Sequence, residues 1–344
     1  MKTKEFDFEL PEKLIALNPV LPRDSAKLLE VTNKFKLHSF KNLTNILNDG
    51  DCIVINDTKV IPAQLNGLFE NKKISISLNK NILDTNKVIW SVFVKPQKKI
   101  YKNGEIIFSK SFYCKIIEIK EFGETIVEFN CSKSNFFKNL NSFGSLALPS
   151  YITSRRGFKT KDLQNYQTIF SKNLGAVAAP TASLHFTQKL IHSLKLKNIK
   201  IVNVTLHVNG GTFLPIKTKN ISHHIMHNEF GVITKNSAKI INQTRNQGRN
   251  CIAVGTTVLR LLESSKNKYG KVKEFYGSTD IFIKPGWKVN TVDGLITNFH
   301  TPKSTLFVLI CALLGIEETK KLYQYAIQNK LRFFSYGDAC LIWV

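Results

Sequence analysis

The sequence predicts an α/β protein with a mostly parallel sheet and flanking helices, interrupted by an inserted small antiparallel β-barrel domain. Strand-like apolar runs alternate with helix-like runs at both ends of the chain, which is typical of a parallel sheet. From about residue 62 to 149 the hydrophobic period changes to two, which indicates short antiparallel strands. The 344 residues, 43% of them hydrophobic, suffice for two domains. We predict that residues 1–61 begin the α/β domain, residues 62–149 form the barrel, and residues 150–344 complete the α/β domain and carry most of the functional site.

The composition is strongly basic. Lys and Arg number 49 against 25 Asp and Glu, and the formal net charge is +24. A general preference for Lys and Asn explains part of this excess, but the positive field remains, so a polyanion is the expected partner. The N-terminus has no apolar signal region, and no later run is long enough to span a membrane. We therefore expect a cytoplasmic protein with no membrane partner.

The cysteines are expected to be reduced and buried. They are scattered in apolar surroundings without any C-x-x-C pair, so neither a disulfide framework nor a zinc ribbon is indicated. The positions are Cys52, Cys114, Cys131, Cys251, Cys311 and Cys340.

Two strands and a short helix are predicted before the barrel. Residues 27–31 begin the first strand, and residues 40–47 form the helix. Residues 52–55 form a short apolar strand, which is followed by the polar residues 56–59. A buried strand that ends in capping-type side chains is typical of a ligand site at a strand tip.

Alternating apolar residues define the strands of the barrel. Ile74, Ile76 and Leu78 alternate with serine, and Trp90 and Val92 begin a second run of the same period. The lysines of this region are consistent with nucleic-acid binding or with a solvated basic face, and both interpretations stay open.

After residue 150, strands alternate with helices again. We predict strands at residues 199–208, 251–254 and 295–298, and a last strand at residues 331–334. They end, in order, in His207-Val208-Asn209-Gly210-Gly211-Thr212, Gly255-Thr256-Thr257, His300-Thr301-Pro302 and Ser335-Tyr336-Gly337-Asp338. Because the carboxyl ends of parallel strands gather at one edge of an open sheet, we expect a ligand site there.

The stretch LGAVAAPTASLHFT, residues 174–187, lets a ligand approach the backbone closely because its side chains are small. A helix is predicted to start within a residue or two of His185, with Thr181 or Ser183 as its N-cap. Free N–H groups at a helix start disfavour an imidazolium, which would leave His185 neutral and able to accept a proton. The alternative is a core histidine that serves packing.

The densest polar cluster is HHIMHNE, residues 223–229. His223 and His227 would share one face of a helix, but the glutamate of H-E-x-x-H and a third ligand at a diagnostic spacing are lacking. The cluster is better suited to proton transfer around an organic substrate, with Glu229 orienting an imidazole, although a polar surface turn is the alternative for His223 or His224. Signatures of dinucleotide, phosphate-loop and nucleophile-elbow enzymes are absent.

A series of segments running in order from Phe6 to Ile342 resembles the S-adenosylmethionine:tRNA ribosyltransferase-isomerases of queuosine biosynthesis. The segments are FDFELPEKLIALNP, RDSAKLL, GDCIVINDTKVIPAQL, GAVAAPTASLHFT, TLHVNGGTFLPI, HHIMHNE, IAVGTTVLRLLE, ITNFHTPKSTL and RFFSYGDACLI. The resemblance implies an α/β domain with an inserted β-barrel. It also implies ribosyl transfer and isomerisation from S-adenosylmethionine to 7-aminomethyl-7-deazaguanine at the tRNA wobble position, giving epoxyqueuosine, adenine and methionine.

Several positions depart from the pattern of that family. Ser183 stands where glycine is expected after APTA, and Asn209 where glycine usually follows HV. Ser150 replaces the second proline of LPPY, and Ala26-Lys27 replaces the common Ser-Arg. The first two changes add side chains in presumed substrate loops, so they bear on substrate affinity more than on reaction type.

The chemistry of this reaction needs one base and one acid. The sulfonium makes the ribose C5′ protons acidic, so a base can start the elimination that expels adenine. No metal site and no cofactor beyond the co-substrate S-adenosylmethionine are expected. The catalytic candidates, whose order stays open, are His185, His207, His227, Glu229, His300 and Asp338. The substrate-binding candidates are Arg23, Asp57, Thr58, Lys59, Thr181, Gly210, Gly211, Thr256, Thr257, Asn298, Arg332 and Ser335.

Two other classes of protein remain open from the residues alone. A metal-dependent hydrolase would use the cluster at residues 223–229. A non-catalytic RNA-binding protein would use only the charge and the barrel. The expected partners are S-adenosylmethionine and tRNA carrying the deazaguanine precursor at the wobble position, and the expected state is a monomer.

Overall fold

The computed structural model describes residues 1–82, 86–120, 124–210 and 215–344, and it confirms the predicted fold class. The strands are β1 Lys27–Val31, β2 Phe35–Ser39, β3 Cys52–Asn56, β4 Thr58–Val60, β5 Gln64–Phe69, β6 Lys72–Ile82, β7 Val88–Lys95, β8 Glu105–Ser109, β9 Phe112–Ile119, β10 Glu124–Phe129, β11 Gly144–Ser145, β12 Asn173–Ala176, β13 Lys200–Leu206, β14 Glu229–Ile233, β15 Cys251–Val254, β16 Phe275–Thr279, β17 Gly294–Asn298 and β18 Ala339–Trp343. The α-helices are α1 Leu43–Ile46, α2 Lys133–Phe143, α3 Ser150–Arg156, α4 Asp162–Asn165, α5 Gln188–Leu196, α6 Lys235–Asn246, α7 Thr256–Ser265, α8 Thr305–Leu314 and α9 Ile316–Gln328.

The large sheet is parallel at its centre. Among the described residues its strand order is β16-β14-β13-β3-β15-β17-β18-β1-β2. The neighbours β13, β3, β15 and β17 pair in parallel, as do β18 and β1. Strands β17 and β18 pair antiparallel, and so do the strands at both margins. Strands β3, β15 and β17 are buried along their whole length, as expected for parallel strands covered on both faces.

Helices cover both faces of this sheet. Val54 packs into a core on one face together with residues of α6, α7, α8 and α9. Its neighbours Ile53 and Ile55 point to the opposite face and pack with residues of α1 and α5. The sheet therefore lies between two helical layers, because side chains alternate along a strand.

The barrel is antiparallel and closed. Strands β5-β6-β7-β10-β9-β8 follow one another, and pairing of Leu68 with Ile107 joins β5 to β8. The alternating residues Ile74, Ile76 and Leu78 are buried in its core. Strand β11 adds to the edge of β5, and α2 packs its buried face on the barrel core.

The predicted helix at His185 begins later than expected. Residues Thr181–His185 form a 3₁₀ turn, and α5 begins at Gln188. Thr187 is its N-cap, because the hydroxyl accepts a hydrogen bond from the Leu190 N–H at 3.1 Å. Neither Thr181 nor Ser183 caps the helix, so this part of the prediction is wrong.

The last strand was also misplaced. Residues 331–334 contribute only an isolated bridge between Ile15 and Phe333, and the strand is β18. Phe334 has φ of +72°, which breaks an extended run. The Asp338 carboxylate accepts a hydrogen bond from the Arg332 N–H at 2.8 Å and holds this segment as a loop.

The cysteines are free, as predicted, and all are buried except Cys131, which is half-buried. Within the described ranges no helix is long and apolar enough to cross a membrane.

Candidate active site

A cavity opens at the carboxyl ends of β15 and β17, the edge at which the sequence predicts a ligand site, and its lining combines apolar surface with many hydroxyl groups. Its lining comes from the loops that follow these two strands, from residues 149–151, from residues 179–182 and from the segment that contains Phe334 and Ser335. Among the described residues no charged side chain lines it. We call it the hydroxyl-rich cavity, after Ser150, Tyr151, Thr181, Thr256, Thr257, Thr297, Thr301, Ser304 and Ser335. Of the predicted site residues it brings together Thr181, Thr256, Thr257, Asn298, His300 and Ser335.

The turn from β15 into α7 supplies hydrogen-bond donors to this cavity. Gly255 adopts φ of +99°, which favours glycine, and it precedes α7 without a side-chain cap. The first N–H groups of α7 have no partner within the helix. The Thr257 hydroxyl is buried and has no hydrogen-bond partner among the described residues. Together these groups favour an anionic ligand atom.

Asn298 links the cavity to a buried histidine. Its Oδ1 accepts a hydrogen bond from Thr181 Oγ1 at 2.9 Å, and its Nδ2 lies 3.2 Å from His185 Nε2. The His185 ring packs on Phe40, with centroids 4.9 Å apart, and does not line the cavity. Burial lowers the pKa of His185 to about 4, so the neutral imidazole accepts from Asn298. Its neutrality is as expected, but the cause is burial and not the N–H groups of a helix.

His300 is the imidazole that lines the hydroxyl-rich cavity. Its Nε2 lies 3.0 Å from Thr297 Oγ1, and its backbone N–H donates to the Tyr323 hydroxyl at 3.0 Å. Burial lowers the pKa of His300 to about 3. The side chain is therefore neutral near pH 7 and can take part in proton transfer.

A second cavity lies between the barrel and the edge of the large sheet. We call it the aromatic cleft, because it is lined by Trp90 of β7, Phe137 of α2, Phe230 of β14 and Tyr276 of β16, together with His207. The predicted candidate His207 thus lies in a different cavity from His300.

The orientation of the His207 ring is fixed by contacts with Thr58 and Gly175. Its Nδ1 lies 2.7 Å from Thr58 Oγ1. The ring packs on Gly175, where a Cβ atom would approach the imidazole to 2.8 Å. Burial lowers the pKa of His207, which favours the neutral form. Among the described residues its Nε2 has no hydrogen-bond partner, so this atom is available to a ligand.

The predicted carboxylates Glu229 and Asp338 line neither cavity. Glu229 is buried in an ion pair with Arg260 and accepts a hydrogen bond from the Asn209 N–H at 3.1 Å. Asp338 accepts from the Arg332 guanidinium at 3.2 Å and from the Lys27 N–H at 3.0 Å. The contacts of these carboxylates hold neighbouring loops and strands together.

The remaining candidates are dispersed. Asp57 accepts from Thr205 and Asn173 and ties β3 to the neighbouring segments. Arg23 donates to the carbonyls of Gln164 and Gln167. Lys59 and His227 are exposed, Gly210 lies beside Val177, and Gly211 lies outside the described residues.

The histidine cluster does not converge on a metal. His223 ends a 3₁₀ turn, Ile221–His223, and His227 is exposed, whereas Glu229 is buried against Arg260. No group of three or more potential metal ligands is found in the parts of the chain that the structure describes.

Some cavity residues were not singled out from the sequence. The Tyr151 hydroxyl accepts a hydrogen bond from the Ser335 N–H at 3.0 Å, and Ser304 caps α8 by accepting from the Phe307 N–H at 3.1 Å. Ser304 carries a readable signal, since a serine before an apolar helical run is a typical N-cap. Tyr151 has no such signal beyond its place after the barrel.

The fold and the cavity define a class. This is an α/β protein with a cavity at the carboxyl edge of its parallel strands, where proteins of this class bind their ligands.

Comparisons with known proteins identify the family within this class. The family profile described as queuosine biosynthesis protein matches residues 3–342. A protein named S-adenosylmethionine:tRNA ribosyltransferase-isomerase from Roseobacter denitrificans is 43% identical over 351 residues, covering 99% of both chains. A protein of the same name from Rickettsia bellii is 44% identical over 356 residues, covering 100% of this chain and 99% of the relative.

A solved structure agrees with these relatives. The crystal structure of S-adenosylmethionine tRNA ribosyltransferase from Thermotoga maritima has a TM-score of 0.55 and 31% identity, covering 98% of this chain and 99% of that one. The chain therefore belongs to the queuosine biosynthesis protein family and, like its named relatives, is an enzyme.

Proposed function

We propose that this enzyme transfers and isomerises the ribosyl group of S-adenosylmethionine onto 7-aminomethyl-7-deazaguanine at the wobble position of tRNA. The products are epoxyqueuosine-tRNA, adenine and methionine. The observation that carries the proposal is that full-length relatives bear the name of this activity, while this chain forms a cavity lined by many hydroxyl groups at the expected sheet edge.

We place S-adenosylmethionine in the hydroxyl-rich cavity. Its carboxylate binds at the start of α7, where free N–H groups and the unpaired Thr257 hydroxyl donate hydrogen bonds. The other hydroxyls of the cavity serve the ribose. Since no charged side chain of the described chain lines the cavity, the positive sulfonium meets neither a competing cation nor a quenching carboxylate.

We assign proton removal to His300. Among the described residues His300 is the imidazole that lines this cavity, and its neutral form can accept a proton without first losing one. His300 takes the proton from C5′, the electron pair of that C–H bond forms a C4′=C5′ double bond, and the C4′–O4′ bond breaks. The oxygen becomes the carbonyl oxygen at C1′ as adenine leaves with the electron pair of its glycosidic bond and takes up a proton. The amine of the deazaguanine adds to C4′ and loses a proton, C5′ bonds to C1′, and the former O4′ closes the epoxide at C5′ and expels methionine with the carbon–sulfur electron pair.

The RNA substrate explains the basic charge. Lysine and arginine residues give the chain a formal charge of +24, which attracts phosphates at long range. A tRNA substrate places the reaction in the cytoplasm. We propose that the enzyme acts as a monomer and uses no cofactor beyond its co-substrate.

Nucleoside analysis tests this function. The enzyme is incubated with S-adenosylmethionine and with an anticodon stem-loop carrying 7-aminomethyl-7-deazaguanine, and the RNA is digested and examined by mass spectrometry. Conversion of that base to epoxyqueuosine is expected, and the same stem-loop with guanine at the wobble position should stay unchanged. RNA that binds but is never modified would instead indicate a non-catalytic RNA-binding protein.

A further inference from the structure

The aromatic cleft has the features of a site for a flat heteroaromatic ring. The Phe230 ring is stacked parallel to the His207 ring, with an interplanar angle of 17° and centroids 6.3 Å apart. Tyr276 meets Phe230 edge to face at 4.9 Å, yet it is 77% exposed. A large exposed tyrosine at the mouth of a cavity offers a stacking surface to a ligand.

Polar groups without partners accompany these rings. The Trp90 indole N–H is buried and has no hydrogen-bond partner among the described residues. His207 Nε2 is also free, because the contact to Thr58 uses Nδ1. Buried polar groups normally find partners, so an unpaired donor in a cavity lining indicates that a ligand supplies one. A nucleobase offers both a π-face and an edge of donors and acceptors.

The aromatic cleft and the hydroxyl-rich cavity share one chain segment. Leu174 and Gly175 line the cleft, whereas Ala179 to Ala182 line the hydroxyl-rich cavity. The four-residue step from Gly175 to Ala179 spans at most about 14 Å. The two cavities therefore lie along one short stretch of backbone.

We propose that the aromatic cleft binds the acceptor nucleobase of the RNA, unstacked from its neighbours, beside S-adenosylmethionine in the hydroxyl-rich cavity. This inference rests on the proposed function. An enzyme that acts on a base must take it out of the stack, and aromatic side chains replace the lost stacking. Lys80 also lines the cleft and adds a positive charge near the path of the RNA backbone.

The proposed base site is tested by measuring how variants of the enzyme bind two RNAs that differ only in the wobble base. Tyr276→Ala removes an exposed ring without opening the core, Tyr276→Phe keeps the ring, and Tyr269→Ala is the matched control at 75% exposure outside the cleft. Equilibrium binding is measured without S-adenosylmethionine. The probes are an anticodon stem-loop with 7-aminomethyl-7-deazaguanine and the same stem-loop with an abasic wobble position.

Tyr276→Ala should weaken binding of the base-containing RNA by roughly tenfold or more, the cost of one lost base stack. It should leave the abasic RNA and S-adenosylmethionine unaffected, and Tyr276→Phe should restore binding. Equal losses on both RNAs, or no loss, would overturn the proposal. A loss of affinity for S-adenosylmethionine alone would also overturn the proposal, because it would indicate that the aromatic rings of the cleft bind the sulfonium. Because binding is measured without turnover, base-dependent binding by an inactive enzyme would reject the proposed function and keep this site.

Discussion

At the scale of single residues, burial decides the protonation of the candidate histidines. His185 and His300 both lose water contact, and the pKa of each falls, to about 4 and about 3. The sequence could suggest a neutral His185 but not its place, because only the fold shows that Asn298 separates it from the cavity. His300 follows a predicted strand end, so its position at the site could be read from the pattern.

Replacement of the proposed base gives the first prediction. We expect His300→Gln to bind S-adenosylmethionine near normally but to lose about 10²–10⁴-fold in turnover, as is typical when a general base is removed. Adenine release and a binding titration on the same protein measure both quantities. The control is His192→Gln, because His192 is exposed, and its turnover should equal that of the parent. The turnover of His185→Gln should lie between those of His300→Gln and the control, because His185 acts only by positioning Asn298. If the turnover of His300→Gln stays within a few-fold of the parent, His300 is not the general base and another candidate histidine must be.

The buried histidines also predict a dependence of stability on pH. Their folded pKa values lie below the ordinary 6.5, so the unfolded chain takes up protons first as the pH falls. The free energy of unfolding should therefore be fully retained above about pH 6.5 and decline as the pH falls toward 4. Each histidine contributes up to about 1.4 kcal/mol per pH unit in that window. Denaturant unfolding at pH 7 and pH 5 should show a smaller decline for His185→Gln, and an equal decline would argue against this assignment.

At the scale of elements, local pattern predicted most strands but not the segments held by distant contacts. Strand β15 was predicted at its observed bounds, and β17 differs by one residue. The apolar run of residues 331–334 predicts a strand in the loop before β18, because that run does not reveal the contact of Asp338 with Arg332. Helix α5 starts late because Thr187, rather than an earlier hydroxyl, caps it. Capping-type residues are frequent in this stretch, so sequence alone leaves the choice open.

A substitution at the start of α7 tests the proposed binding site for the carboxylate of S-adenosylmethionine. Thr257→Val keeps the shape of the side chain but removes a buried hydroxyl that has no partner among the described residues. Affinity for S-adenosylmethionine should fall roughly tenfold or more, since a hydrogen bond to a charged group is lost. Stability should be unchanged or slightly higher. Calorimetric titration with S-adenosylmethionine and its decarboxylated analogue is the measurement, and similar losses for both ligands would argue against carboxylate binding here.

At the scale of the whole molecule, the switch in hydrophobic period was sufficient to predict a barrel inserted in an α/β sheet. The division of polar residues between two neighbouring cavities was not predictable. His207 and His300 both follow strand ends, yet the segment from Leu174 to Ala182 runs past both cavities and separates their surroundings. Whether a histidine lines one cavity or the other depends on how the barrel packs beside β14 and β16. A local sequence pattern does not contain this information.

The charge distribution gives a prediction for the whole molecule. Affinity for tRNA should fall steeply with salt, because released counterions drive phosphate binding. Affinity for S-adenosylmethionine should change little, since uncharged groups line the described part of its cavity. Binding titrations at a series of salt concentrations compare the two ligands, and equal slopes would remove the electrostatic argument.

The central claim is that this chain uses S-adenosylmethionine as a ribosyl donor to an RNA base. The most direct measurement is the stoichiometry of a single turnover, with enzyme in excess over a stem-loop that carries 7-aminomethyl-7-deazaguanine. We predict about one adenine and one methionine released per RNA modified, with neither product formed when the RNA is omitted. Adenine release that is independent of RNA, or RNA bound without release of adenine and methionine, would contradict the claim.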